Sequence, residues 1–187
     1  MLKLNSLALA AIAAVTLASA SAHAGLLGSS ATSQYYAYGG AYNGGGSPDT
    51  FVVDGGAHAP FFNYYTIIVT DTQIIYDYQS ASTWSSSGVS LNTAGLYIDN
   101  GNLLSFVGAP SITSVTVDGS TNMGGFGAGN VTFNAGAVAV SWANLSFDDN
   151  TQVVLNINTM VPEPGTYALM ALGLVGVAAV ARRRRQA

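Results

Sequence analysis

The amino-acid sequence predicts an all-β fold for residues 25–160, a single antiparallel β-sandwich, with a jelly-roll-like arrangement as one form open to it. Three observations predict it. Short runs rich in β-branched and aromatic residues recur along the chain, several of them alternating apolar with polar positions. Gly, Asn and Asp separate those runs at short intervals, which leaves no room for the helical crossovers of a parallel sheet. No amphipathic helix of useful length is present.

In chain order, Phe62–Thr70 (FNYYTIIVT) and Gln73–Gln79 (QIIYDYQ) read as two strands joined at Asp71-Thr72, a hairpin. Leu96–Ile98 and Leu103–Val107 flank Asp99-Asn100-Gly101-Asn102, where Asn-Gly offers the positive φ that a tight hairpin turn requires. Ser111–Val117 (SITSVTV) alternates up to the turn Asp118-Gly119, and Val131–Phe133, Ala137–Trp142 and Val153–Ile157 continue the pattern. Gly39–Ser47 (GGAYNGGGS) and Ser80–Ser90 (SASTWSSSGVS) have little side chain to bury and read as loose loops. Residues 25–160 make 136 positions. A domain of that size buries roughly two thirds of its unfolded surface, enough for one core.

The flanks differ from this middle. Residues 1–24 have the three parts of a secretory signal peptide: Lys3, an apolar run from Leu7 to Leu17, and Ala22-His23-Ala24 as a small-x-small site for signal peptidase. The exported chain would then begin at Gly25. That apolar run is shorter than the roughly 20 residues a permanent membrane helix needs. At the other end, Thr166–Ala181 offers 16 uncharged residues, mostly Ala, Leu, Val and Gly. As a helix they would span about 24 Å, and arginines snorkelling at one end with Tyr167 at the other make up the deficit against a core of about 30 Å. Positive charge stays cytoplasmic, so the sequence predicts a transmembrane helix over 166–181 with Arg182, Arg183, Arg184 and Arg185 as its inner stop. The precursor would be anchored in the inner membrane with residues 25–160 on the periplasmic side.

Charge is unevenly placed. The chain has 5 Lys plus Arg and 9 Asp plus Glu, yet neither Lys nor Arg occurs between residues 4 and 181. Residues 25–160 hold eight Asp, no Glu and one His, a formal charge of −8. Such a surface repels phosphate backbones, which excludes nucleic acid as an expected partner. Cysteine is absent, so no disulfide can staple the exported part, and stability must come from a core or from bound metal.

Between the two parts lies Val161-Pro162-Glu163-Pro164-Gly165. Each proline fixes its own φ and pushes the preceding residue away from helical geometry, so the stretch should run extended, close to polyproline II. Extended backbone suits a peptidase cleft, and equally a stiff linker. Val161, Pro162, Glu163 and Pro164, then an apolar helix rich in Gly and Leu, then the Arg cluster, resemble the PEP-CTERM sorting signal of Gram-negative bacteria. The resemblance covers residues 161–187. It implies recognition by an exosortase, a membrane-embedded cysteine enzyme that cuts near Pro-Glu-Pro and passes its substrate to the cell surface or an exopolysaccharide-rich matrix. It carries no information on what residues 25–160 do.

Few residues in that middle suggest chemistry. Gly124-Gly125-Phe126-Gly127-Ala128-Gly129 has the glycines of a dinucleotide loop but neither a following helix nor a cation for phosphate, and reads as loop. His58 would act as base or ligand only with an Asp beside it. Asp99, Asn100 and Asn102, and Asp148, Asp149 and Asn150, put hard oxygen atoms on turns, the donor type Ca²⁺ prefers, although Asp and Asn are also ordinary turn formers and the spacing is not that of an EF-hand. No other cofactor is expected. Ten Tyr and two Trp, among them Tyr35, Tyr36, Tyr38, Tyr42, Tyr64, Tyr65, Trp84 and Trp142, offer flat faces to sugar rings or to one another in a core. The run Tyr35-Tyr36-Ala37-Tyr38, beside a glycine-rich loop, is the stretch expected to make external contacts.

Two functional classes fit. One is a non-enzymatic surface or biofilm-matrix protein, structural or adhesive within exopolysaccharide. The other is a secreted glycan hydrolase working through paired carboxylates, which would need two Asp carboxyls roughly 5 to 9.5 Å apart in an aromatic-lined cleft.

Overall fold

Period-2 alternation decides which residues of a strand enter a core, and the computed structural model, which describes residues 25–160 together with Gly173, follows it closely. The expected signal peptide with Ala22 and Ala24, the motif residues 161–165, the transmembrane helix 166–181 (Gly173 apart) and the arginines 182–185 lie outside the described residues. Among the described residues no helix is long and apolar enough to cross a membrane.

The strands, in chain order, are β1 (Ser30–Ala37), β2 (Gly40–Tyr42), β3 (Asp49–Val52), β4 (Ala57–Phe61) and β5 (Tyr65–Val69). Then come β6 (Gln73–Tyr78), β7 (Ser82–Thr83), β8 (Leu91–Thr93), β9 (Leu96–Ile98) and β10 (Gly101–Val107). The last are β11 (Ile112–Val117), β12 (Val131–Asn134), β13 (Ala137–Ser141), β14 (Ser146–Phe147) and β15 (Gln152–Thr159). Among the described residues one short 3₁₀ turn, Ala128–Asn130, takes in the end of the glycine run.

These strands form two main antiparallel sheets. The first runs β12-β13-β10-β1-β2, with β3 also paired to β1; the second runs β11-β15-β6-β5-β4. Two short ladders, β14 with β7 and β8 with β9, complete the set. In β1, Ala31, Ser33, Tyr35 and Ala37 point inward. In the other sheet Tyr65, Ile67 and Val69 of β5 and Ile74, Tyr76 and Tyr78 of β6 do the same. Leu104 and Phe106 of β10, Val138 and Val140 of β13, and Val153, Leu155 and Ile157 of β15 join them in a single apolar cluster, so both sheets share one core. Strand β13 is buried throughout because Ala137 and Ala139 face the other way, into a smaller cluster with Leu96 and Ile98 of β9.

Large aromatic side chains occupy the centre. Trp142, Tyr65, Tyr76 and Tyr78 are each less than 2% exposed. Trp142 meets Tyr76 edge-on with ring centroids 4.9 Å apart, and Tyr65 meets Tyr76 at 5.5 Å and Tyr78 at 5.4 Å. Each such pair adds about 0.5–1.5 kcal/mol beyond area burial. Across the core, the Tyr76 hydroxyl donates to Asn102 Oδ1 at 3.0 Å, joining the two sheets through a neutral bond.

The hairpin expected at residues 71–72 is present, with Val69 opposite Ile74, and β12 and β13 form another across Ala135-Gly136. The hairpin expected at Asn100-Gly101 is not. Strand β9 pairs with β8, while β10 lies between β1 and β13. Gly101 stands within β10 opposite Ser141, where a Cβ would overlap the carbonyl oxygen of Val140; the glycine serves a close backbone approach, not a positive φ. The stretches 39–47 and 80–90, expected to be loose, are pinned at several points. Ser47 Oγ accepts from Tyr35 N at 2.7 Å, Asp99 accepts from Ser86 Oγ and Ser87 N, and Trp84 is buried.

Gly101→Ala should therefore lower the melting temperature sharply, a loss of several kcal/mol by backbone overlap. Gly119→Ala, where a Cβ meets open space, should stay within about 0.5 kcal/mol of the parent in denaturant unfolding. Equal losses at the two positions would contradict the close approach.

Candidate functional site

At one end of β1 the chain must leave the core, and aromatic residues gather there. Ala37 ends β1, and Tyr38 (φ 55°) turns the backbone into β2, whose Tyr42 pairs with Tyr35. On the opposite sheet the ladder between β4 and β5 shifts register between His58 and Phe61. Bulges of this kind re-aim side chains. Here Phe61 turns inward while Phe62 (φ 49°) turns out, its N–H donating to Gly45 O at 2.7 Å. Gly45 has no room for a Cβ because the Phe62 ring lies against it.

The result is a cleft of about 300 Å³. Its floor is Tyr35, stacked on Phe61 with centroids 3.9 Å apart and planes 12° from parallel, and Trp84, 5.5 Å from Tyr35. Tyr38, Tyr42, Phe62 and Tyr64 form the rim; Tyr42 lies 6.4 Å from both Tyr38 and Phe62. Ser82, Thr83, Ser85 and Asn100 make the polar edge. Among the described residues no charged side chain lines it.

Hydrogen bonds hold the floor in place. Trp84 N donates to Leu145 O at 2.8 Å, and the Tyr35 hydroxyl donates to Asn100 Oδ1 at 2.5 Å. Asn100 Nδ2 in turn donates to Ser85 O at 2.8 Å. Burial, reinforced by the neighbouring Tyr78, Tyr38 and Tyr64, pushes the Tyr35 phenol far above its ordinary pKa, so it remains a donor. The indole N–H groups of Trp84 and Trp142 and the hydroxyls of Tyr65 and Tyr78 are buried without a hydrogen bond of normal geometry; Tyr65 faces Trp142 and Tyr78 faces Trp84.

Two rim residues sit in unfavourable backbone. Positive φ in a bulky residue costs on the order of 1–3 kcal/mol. Tyr38 is 74% exposed, so burial of its own ring recovers little of that cost; Phe62, 49% exposed, recovers part of it by packing on Phe61 and against Gly45.

The aromatic set read from sequence divides three ways. Tyr38, Tyr42 and Tyr64 stand at the cleft rim, with Tyr35 and Trp84 in its floor; Tyr65 and Trp142 belong to the core; Tyr36 packs on the smaller cluster. Tyr35 is thus only 2% exposed, whereas the YYAY run was expected to face outward. Phe61 and Phe62 were missed, because their placement follows from a bulge that no residue pattern marks.

The other candidates are placed as follows. His58 does have an Asp beside it: its Nε2 lies 2.7 Å from Asp54 Oδ1, and its ring stacks on Phe51 at 4.5 Å. This exposed pair is apart from the cleft lining. Asn100 and Asn102 are buried with their oxygens accepting from Tyr35 and Tyr76, and Asp99 is bonded to Ser86 and Ser87. Asp148 Oδ1 accepts from Asn150 N and Thr151 Oγ1, while Asp149 accepts from Asn150 Nδ2. Among the described residues no three His, Asp, Glu or Cys side chains gather as a metal site. Gly25 lies against the Asp71 carboxylate, where a Cβ would overlap it.

Comparison with known proteins adds one finding. Residues 161–185 match the family described as the PEP-CTERM protein-sorting motif. The motif implies export, a membrane-anchored precursor and processing by an exosortase. No curated protein and no solved structure matches the chain.

Two outcomes test the site. Asn100→Ala leaves the Tyr35 hydroxyl unpaired and should cost about 1–3 kcal/mol in denaturant unfolding. The hydrogen bond from His58, with that from Gly56 N, holds the Asp54 carboxyl below its usual pKa. A lowered folded value means this contribution is complete above the unfolded value of about 3.9 and is lost as pH falls through the folded one. In His58→Ala, carboxyl titration by NMR should find Asp54 moved back toward about 3.9; an unmoved value would deny the pairing.

Proposed function

We propose that the protein is a non-enzymatic surface or matrix component, exported, cut by an exosortase near Pro162-Glu163-Pro164, and adhesive within exopolysaccharide through its aromatic cleft. The sorting motif at 161–185, following directly on a folded unit, supports the export and processing part of this reading, and the uncharged aromatic cleft supports the adhesive part. Strand β15 ends at Thr159, so cleavage at the motif leaves every strand of the described residues intact. Signal peptidase cleavage before Gly25 would set a new α-ammonium close to the Asp71 carboxylate, an opposite charge that favours the processed end. The transmembrane helix over 166–181, held by the Arg cluster, keeps the β unit periplasmic until the cut.

The two sheets are read as the faces of one β-sandwich, supported by their shared core cluster. Against the hydrolase alternative, the cleft lining offers tyrosine, phenylalanine, tryptophan, serine, threonine and asparagine but no carboxylate among the described residues. Glycoside hydrolysis by the usual route needs two. A formal charge of −8 on residues 25–160 continues to disfavour nucleic acid as a partner.

Deleting Arg182–Arg185 should leave the β unit folded, with an unchanged circular-dichroism spectrum, while precursor accumulates and less protein reaches the surface or matrix. Delivery at the parental level in fractionated cells would overturn the sorting part of the reading.

A further inference from the structure

Resting on that reading for its extracellular setting, we propose that the aromatic cleft takes an uncharged pyranose unit of a neutral polysaccharide, with Tyr38, Tyr42 and Phe62 as stacking faces. A pyranose is amphipathic: its C–H faces suit aromatic rings, and its equatorial hydroxyls suit small polar side chains. The cleft provides both, its rim aromatic and its edge carrying the exposed side chains of Ser82 and Ser85. About 300 Å³ lies at the small end of the 300–1,000 Å³ range of ligand sites, the size for one or two sugar units rather than a buried oligomer.

Charge selects among glycans. A uronate, sulfate or phosphate substituent would approach a cleft with no cation among the described residues, on a unit without Lys or Arg and with eight Asp. Such groups are normally recognised by Arg or Lys. A neutral ring loses no ionic hydration and meets no repulsion.

Backbone strain supplies a second, independent observation. Tyr38 and Phe62 hold left-handed φ values of 55° and 49° just past strands of opposite sheets, Tyr38 largely exposed and Phe62 half-exposed beside Tyr42. The free chain gains little from the Tyr38 arrangement and only part of the cost back at Phe62, through its contacts with Phe61 and Gly45. Strained, exposed aromatic residues converging on one cleft from separate elements are expected where a ligand covers them.

The test uses the full-length chain in a non-glycosidic detergent, titrated with dextran, laminarin and galactomannan as neutral polysaccharides and with alginate and polygalacturonate as acidic ones. Tryptophan fluorescence reports binding through Trp84, and calorimetry gives the affinity. At least one neutral polymer should bind saturably, and the acidic polymers should bind the cleft at least about tenfold more weakly, cleft binding being the part that Tyr38→Gly removes and contact of polyanions with Arg182–Arg185 the part that it leaves. Tyr42→Ala should weaken neutral binding about tenfold or more. Tyr38→Gly should do the same while holding or raising the melting temperature, since glycine relieves the left-handed strain; loss of binding is then not loss of fold.

Acidic polymers bound best, with Tyr38→Gly abolishing it, would overturn the neutral-sugar inference and leave the adhesive reading standing. No binding to any polysaccharide would overturn both. Dimerisation in sedimentation velocity that Tyr38→Gly abolishes, without glycan binding, would reassign the cleft to self-contact and overturn the inference. Unaltered export of Tyr38→Gly separates all of these outcomes from the sorting step.

Discussion

A continuous run of aromatic contacts holds this β unit together, and it has to, because the composition supplies neither disulfides nor ion pairs with Lys or Arg. Residues 25–160 contain no cysteine, lysine or arginine. What remains is burial and neutral hydrogen bonding. The run passes from Trp142 to Tyr65 (6.3 Å between centroids), from Tyr65 to Phe61 (5.8 Å), and from Phe61 to Phe62 (5.0 Å). It therefore begins in the centre of the core and ends in solvent. The cleft is the exposed end of the core, and the packing that stabilises the fold also sets the rim rings in place.

Neutral polar groups complete that packing. Asn100 and Asn102, at the start of β10, accept from Tyr35 and Tyr76 and are themselves buried. Burial drives those phenols above their ordinary pKa, so they act as donors throughout the physiological range. Asn102 Nδ2 donates to Ser33 Oγ at 2.8 Å, which gives the small polar residue on the inner face of β1 a partner. Bonds between neutral groups are little affected by salt, unlike surface ion pairs. That property suits an exported protein, since ionic strength varies more beyond the cytoplasm than within it.

Legibility of the sequence tracked how much of each element depends on its own residues. Strands β5 and β6 were readable because β-branched and aromatic residues fill both their faces and two turn residues separate them. Strand β1 was not, although it is paired on both sides: its inward residues are Ala31, Ser33, Tyr35 and Ala37, too small or too polar to raise a hydrophobic pattern. The Asn-Gly pair misled for a related reason. A turn and a close strand crossing both select glycine, and only the neighbour, here the Val140 carbonyl, tells them apart. Serine-rich and glycine-rich stretches looked loose because their partners, Asp99, Tyr35 and Phe62, stand far away in the chain or act through backbone atoms.

By itself the sequence determined the class of fold, the absence of Lys and Arg from residues 25–160 and the sorting motif, since alternation, charge count and a contiguous motif are local properties of the chain. Tertiary structure alone decided which aromatic residues became core and which became cleft. That choice depends on a register shift in β4, a left-handed turn at Tyr38 and the meeting of two sheets, and long-range packing of this kind leaves no mark on any one segment.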